Sequence, residues 1–309
     1  ARMIKTPFTE PSEEVRVELI ELLGVCLEAD HMQFLPNIGQ ICTMLGKAAF
    51  KSGHYALGDQ LPGLSTQING LVISKPHLLA YKELCGFQPD SALPATYLHM
   101  LAFPLFLKIL IQQDFPMRAM GQVHLRNQIS VLQQFDSRQP VNMTASIGSS
   151  ELTSRGLEWN IDVSAEVDQQ VVWTSESTFL HRCKTGMPRS AVAPIRHEGE
   201  AQSWSVDADT GRRYARVSGD YNPIHLTDIT AKLFGFKQAI AHGMWSKARC
   251  LAALSAELPA DGYSVDVAFH RPLFLPSQVL FYSHRQDGQQ NFSLFNQRAD
   301  QAHLEGIIT

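Results

Sequence analysis

Cysteine is scarce in this chain. Five of 309 residues are Cys, at positions 26, 42, 85, 183 and 250, and no two form a CxxC pair. An odd, scattered set excludes a disulfide framework and reads as buried free thiols in a reducing compartment. There is also no excess of positive charge. Twenty-six Lys and Arg face thirty Asp and Glu, for a net charge of −4, so nucleic acid is not an expected partner. No hydrophobic run is long: the most apolar stretch, 98–111, is too short to span a bilayer and contains Pro104 and Lys108. Near the start, Glu10, Glu13 and Glu14 leave no clean apolar segment of the kind a signal peptide needs, so a cytoplasmic protein is expected. The sequence contains no GxGxxG, P-loop, GxSxG or HExxH pattern, and His225 and His242 lack an i,i+4 histidine partner. A nucleotide cofactor, a serine nucleophile on an elbow and a metal site are therefore not expected.

Hydrophobic residues make up 44% of the chain and charged residues 18%, as in globular proteins, and the length suits two domains. Residues 1–60 read as a helical leader that packs on the main body. Ser12 can cap a helix carrying Val15, Leu19, Leu22 and Leu23 at helical spacing, and a second helix, 37–51, ends at Gly53.

From about Leu61 the chain contains a faint internal repeat. A shift of 149 positions lays Asn69-Gly70 on Ser218-Gly219 and Leu84-Cys-Gly-Phe87 on Leu233-Phe-Gly-Phe236. Each half then has a long apolar helix, predicted at 95–112 and 243–258. The second is apolar nearly all round, which predicts burial. Strand-like segments come next at 141–147, 157–163 and 171–173, and again at 264–269, 279–283, 291–296 and 302–309. Alternation with turn signals such as Asp287-Gly288 argues for antiparallel pairing, and the whole for an α+β architecture. Residues 181–205, rich in charge, Gly and Pro, read as the connection between halves.

The densest chemistry lies in Tyr214-Ala-Arg-Val-Ser-Gly-Asp-Tyr-Asn-Pro-Ile-His225 and, a little further on, Ile240-Ala-His-Gly-Met244. The first stretch reads as a strand or loop that breaks at Ser218-Gly219. Asn222 then caps a helix with Pro223 at its first position, running to Phe234 and stopping at Gly235. Asp220 and His225 thus flank a helix start, whose dipole favours carboxylate over imidazolium. A charged Asp beside a neutral His is a workable acid–base pair. Gly243 opens the second buried helix, so its N–H has no intrahelical acceptor, and the missing side chain lets a carbonyl oxygen approach it.

These two blocks resemble the MaoC-like, R-specific enoyl-CoA hydratases and 3-hydroxyacyl dehydratases. The likeness is dense over 214–250 and looser over the rest of the second half. It implies a tandem (double) hot-dog fold, with a first domain at 61–180, a linker at 181–205 and a catalytic second domain at 206–309. It implies Asp220 and His225 as the catalytic dyad and Gly243 as oxyanion donor, with Ser218, Asn222, Tyr214 and His242 on the substrate side. The substrate would be an enoyl thioester of coenzyme A or acyl-carrier protein, with no cofactor beyond that carrier, in a possible homodimer. A hot-dog thioesterase and a non-catalytic acyl-thioester-binding protein are the alternatives. By the same offset the first half holds Leu71 and Pro76 where the second has Asp220 and His225, so it is expected to be chemically silent. Its helix (Leu98, Met100, Leu101, Phe103, Leu105, Phe106) either lines an acyl pocket or fills its own core. Lys247, Arg249 and Arg271 either meet phosphates of the carrier or are solvated surface charges.

Overall fold

The computed structural model describes residues 38–188 and 195–309. The expected helix around Val15–Leu23 lies outside the described residues. The leader's second helix is α1 (Ile38–Phe50), close to its expected span. Ile41, Met44 and Leu45 of α1 pack on Leu107, with Phe103, Ile111 and Tyr221 around them.

The body is α+β. Strands β1 (Ser65–Leu71), β2 (Val123–Val131), β3 (Val141–Thr153), β4 (Gly156–Val167) and β5 (Gln170–His181) occupy the first half. Strands β6 (Gln202–Val206), β7 (Tyr263–Phe269), β8 (Ser277–Gln286), β9 (Gln289–Asn296) and β10 (Ala302–Ile308) occupy the second. All ten join one sheet in the order β1-β3-β4-β5-β2-β7-β10-β9-β8-β6. The second half repeats the first half's strand order in reverse along the sheet, and the halves meet at one antiparallel seam, β2–β7, with Asn127 opposite Val267 and Ile129 opposite Val265. The β6 strand begins within the stretch read as a connection. Matching strands begin 132–140 residues apart, fewer than the 149 that relate the helices. Two hairpins use residues at positive φ, Asp168-Gln169 and Asp287-Gly288, the geometry that matches the twist of antiparallel strands.

Helices α2 (Lys75–Cys85), α3 (Ala95–Leu101), α4 (Phe103–Leu110) and α7 (Gly243–Ala253) share one apolar core with the inner faces of the strands. The helix expected over 95–112 is two helices. Pro104 has no N–H to continue the first, and instead occupies the first turn of α4, where none is needed. Leu98, Met100, Leu101, Leu105 and Phe106 are buried in the common core, and Phe103 packs toward α1. The helix expected over 243–258 ends at Ala253 and passes into a 3₁₀ turn, Ser255–Glu257.

Lys247 corrects an expectation: it neither faces solvent nor reaches for a phosphate. It is fully buried, and its Nζ donates to Asn127 O (2.8 Å), Asn127 Oδ1 (2.7 Å) and Val265 O (3.1 Å). Asn127 in turn donates to Ser175 Oγ and Ser177 Oγ, both at 3.0 Å. This polar knot fastens α7 across the β2–β7 seam. Arg249 lies with its guanidinium 4.3 Å from the Trp204 ring centroid, a packing role on β6.

Candidate active site

The stretch before the loop that carries Asp220 is helical, not extended: α5 spans Thr210–Ser218. Thr210, Gly211, Tyr214, Ala215 and Ser218 are its buried residues, a stripe at helical spacing, while Arg212 and Arg216 point outward. Gly219 ends it in the left-handed conformation at φ 75°. A β-carbon at Gly219 would also lie 2.9 Å from Ile41 Cδ1, so α1 presses on the loop that carries Asp220.

Beyond Gly219 the expected single helix is broken. Asn222 does cap, accepting from Ile224 N at 3.5 Å, but it opens only a 3₁₀ turn, Pro223–His225. Thr227 then caps a separate helix, α6 (Asp228–Leu233), through a reciprocal box with Thr230. Thr230 Oγ1 donates to Pro223 O at 2.7 Å and ties the two pieces together. Because its turn is so short, His225 is set by local contacts rather than by a helix dipole.

Three side chains converge here. Asp220, His225 and His242 each offer a donor or acceptor atom within 4.8 Å of the others. Asp220 Oδ1 accepts from Asn222 N at 3.2 Å, its own N–H donates to Ser218 Oγ at 3.1 Å, and its side chain is 26% exposed. His225 is buried, and its Nδ1 donates to Ile240 O at 2.8 Å. A carbonyl only accepts, so Nδ1 carries the proton and Nε2 keeps a free lone pair. His242 Nε2 donates to Asp220 O at 3.0 Å and lies 3.7 Å from Asp220 Oδ2. Its ring stacks on His225, centroids 3.6 Å apart, and Tyr214 closes the other side at 4.7 Å. By distance the trio could hold a metal ion. Stacked rings, however, carry their nitrogen lone pairs side by side, whereas a tetrahedral ion needs them to converge.

Burial sets the protonation states. Desolvation raises the Asp220 carboxyl, partly opposed by His225 and the Asn222 N–H. Desolvation also drives His225 down to about 3 and His242 to about 4. Both imidazoles are therefore neutral at pH 7. Gly243 is the first residue of α7, with His242 at the N-cap position. Its N–H is one of the first-turn donors without an intrahelical acceptor. A β-carbon there would meet the Phe269 ring at 3.1 Å, so the ring packs closely on the start of α7.

All the expected site residues, Tyr214, Ser218, Asp220, Asn222, His225, His242 and Gly243, thus fall in one neighbourhood. Three supports carry no sequence pattern that announces them as such. A β-carbon at Gly211 would lie 2.0 Å from His225 O, so only glycine lets α5 sit against the His225 turn. Asp228 Oδ1 accepts from Ala239 N at 2.9 Å and holds the segment that presents Ile240 O. Tyr81 of α2 lies 6.4 Å from Tyr214, so the first half backs the site. A glycine inside an amphipathic helix was the one available signal for Gly211.

A relative decides the family. The chain is 31% identical over 254 residues to 3-hydroxyacyl-thioester dehydratase X of Mycobacterium tuberculosis, covering 81% of this chain and 90% of that one. The chain belongs to the MaoC-like dehydratase family. A profile of the MaoC like domain matches residues 190–306. Among MaoC-like dehydratases of known structure, HtdX from the same organism aligns at TM-score 0.69 and 30% identity, over 79% of this chain and 99% of its own. A MaoC-like dehydratase from Phytophthora capsici aligns at TM-score 0.64 and 18% identity, over 80% of this chain and 95% of its own, a likeness of fold.

This family member should be acid-sensitive for a specific reason. Unfolded histidines titrate near 6.5. In the folded chain burial depresses His225 to about 3, His242 to about 4 and His124 to about 3, and it lowers His99 well below its ordinary value. A depressed folded pKa gives stability that is present above 6.5 and lost as pH falls toward the folded value. Each histidine adds a slope of roughly 1.4 kcal/mol per pH unit across that window. Asp220, raised by burial, contributes with the opposite sign and offsets part of this. Urea midpoints measured from pH 7 to pH 4 should fall steeply; a flat profile would show that these rings are already hydrated or charged.

Proposed function

We propose that this protein is a hydro-lyase that interconverts (3R)-hydroxyacyl and trans-2-enoyl thioesters, with coenzyme A or an acyl-carrier protein as the carrier. The observation that carries the reading is the pairing of a neutral His225, its Nε2 free, with the Asp220 carboxyl beside the amide of Gly243. In the hydration direction, a water held between Asp220 and His225 gives its oxygen to C3. One of the pair takes the water proton and the other delivers a proton to C2. Negative charge gathers on the thioester oxygen, and the Gly243 N–H at the start of α7 is placed to receive it. His242 and Tyr214 wall the dyad from solvent. The name and reaction class of the M. tuberculosis relative support the same reading.

The architecture is then a tandem hot dog. Each half contributes five strands in matching order, β1-β3-β4-β5-β2 and β6-β8-β9-β10-β7, around its own helices. In this reading 61–180 and 206–309 are the two domains joined by 181–205, residues 1–60 are a leader, and the second domain supplies all the reacting groups. The assay is loss of the conjugated-thioester absorbance with enoyl substrates of several chain lengths on both carriers. Turnover without thiol release supports the hydro-lyase. Thiol release would make it a thioesterase, and binding without change a sensor.

A further inference from the structure

The first half contributes one polar side chain to the support of the Asp220 loop. His77 is the third residue of α2, and its Nε2 lies 2.8 Å from Val217 O, near the end of α5. A carbonyl only accepts, so Nε2 carries the proton and Nδ1 keeps its lone pair. Tyr97 of α3 donates its hydroxyl to that lone pair at 2.8 Å. Tyr97 is fully buried, and its ring packs edge-on against Tyr81, centroids 5.2 Å apart. A rigid neighbour thus holds the imidazole in one tautomer and one direction. Burial lowers the His77 pKa, which favours the neutral ring that this pattern needs.

Val217 O needs such a donor. The last carbonyls of a helix have no intrahelical partner. The amide four residues on, Tyr221 N, donates instead to Gly219 O (3.1 Å), and Gly219 N closes on Ala215 O (2.8 Å). The next residue, Ser218, is buried, and its Oγ accepts from Asp220 N at 3.1 Å. A bond at Val217 O therefore acts three residues before Asp220 and one before the hydroxyl that anchors it. Ile41 of α1 meets the same turn at Gly219. A second line of contact runs through rings, from Tyr97 to Tyr81, on to Tyr214 (6.4 Å) and from there to His242 (4.7 Å). Both lines start at Tyr97, in the half that has Pro76 where the other has His225.

We infer that His77 is a positioning residue for Asp220: its hydrogen bond to Val217 O sets the loop that carries the carboxyl, and so ties the first half to the chemistry of the second. The inference rests on the acid–base reading above, and its test separates the two. His77→Leu removes the donor and keeps the bulk, whereas His77→Gln places an amide N–H where Nε2 was. His77→Leu should lower kcat roughly 10-fold or more, because a small misplacement of a reacting group is costly, and should leave KM within about twofold. His77→Gln should recover most of that loss. In an Asp220→Asn background, His77→Leu should cost less than about twofold more, since it acts through a carboxyl already lost. Additive losses, no recovery by His77→Gln or an unchanged kcat would each overturn the assignment. Tyr97→Phe frees the same imidazole without disturbing its packing, which keeps the test open where His77→Leu fails to fold. It should show the same pattern at about fivefold or less, and normal turnover would again overturn the assignment. Amide hydrogen exchange needs no turnover. His77→Leu should speed exchange over residues 218–222 and leave the strands unchanged, and His77→Gln should not. That result supports the positioning role even if no thioester reacts, an outcome that would remove only the reaction proposed above. Exchange unchanged over 218–222, or raised throughout the chain, overturns it.

Discussion

Asp220→Asn and His225→Gln should each lower kcat by about 10²–10⁴-fold, the range for positioned acid–base groups, with little change in stability. Both substitutions keep the local hydrogen bonds. An amide oxygen at 220 can still accept from Asn222 N, and the glutamine amide can still donate to Ile240 O, the bonds now made by Asp220 and His225. What disappears is proton exchange. An amide at 220 cannot ionise, and an amide at 225 offers no basic nitrogen in place of Nε2. The two losses should not add. A pair that holds one water acts as a unit, so the double variant should resemble the worse single variant. Steady-state kinetics with thermal melts beside them check this. A single variant that keeps near-normal turnover would remove that residue from the dyad, and additive losses would mean that the two act separately.

Lys247→Ala should destabilise the fold strongly, by about 3–5 kcal/mol. It leaves Asn127 O, Asn127 Oδ1 and Val265 O without their donor, in a place with no exposure to water. It also opens a cavity beside the seam. Lys247→Met fills most of that volume and loses only the donors, so it should cost less, about 1–3 kcal/mol. The ordering of the two separates packing from hydrogen bonding. Urea denaturation gives both numbers. A Lys247→Ala protein within about 1 kcal/mol of the parent would mean that water replaces the Lys247 amine at no cost and that the knot is not what secures α7.

Strands β7 to β10 are legible in the sequence because their inward residues are apolar and their outward ones polar, as in Tyr263–Phe269. The β2 strand was missed for the opposite reason. Its inward positions are Leu125, Asn127, Ile129 and Val131, and an asparagine in the middle breaks the apolar alternation that marks a strand. Asn127 is tolerated there because Lys247, Ser175 and Ser177 satisfy it, and those partners lie far away in sequence. The sequence of α5 reads as a strand or loop because its buried stripe is made of small or polar residues and one tyrosine. Asp220, His225 and Gly243 could be found from residue types and spacing. Ile240 could not, because it acts through a backbone carbonyl, which leaves no mark in a side-chain pattern, and Gly211, acting through close approach, leaves only a glycine within a helical stripe.

The β2–β7 pairing has a consequence for how the chain reaches this structure. It joins residues such as Asn127 and Val267, which lie far apart in sequence, whereas β3, β4 and β5 pair as consecutive hairpins, as do β8, β9 and β10 apart from the loops between them. Closing so long a loop is slow, so each half-sheet should gather first and the seam last. Until it closes, β2 and β7 are open edges with matching partners, and a second chain in the same state offers the same edges. Refolding at high protein concentration therefore invites reciprocal exchange, in which β2 of one molecule pairs with β7 of another. Each exchanged assembly would still contain the proposed catalytic groups intact, since Asp220, His225 and Gly243 all belong to one half.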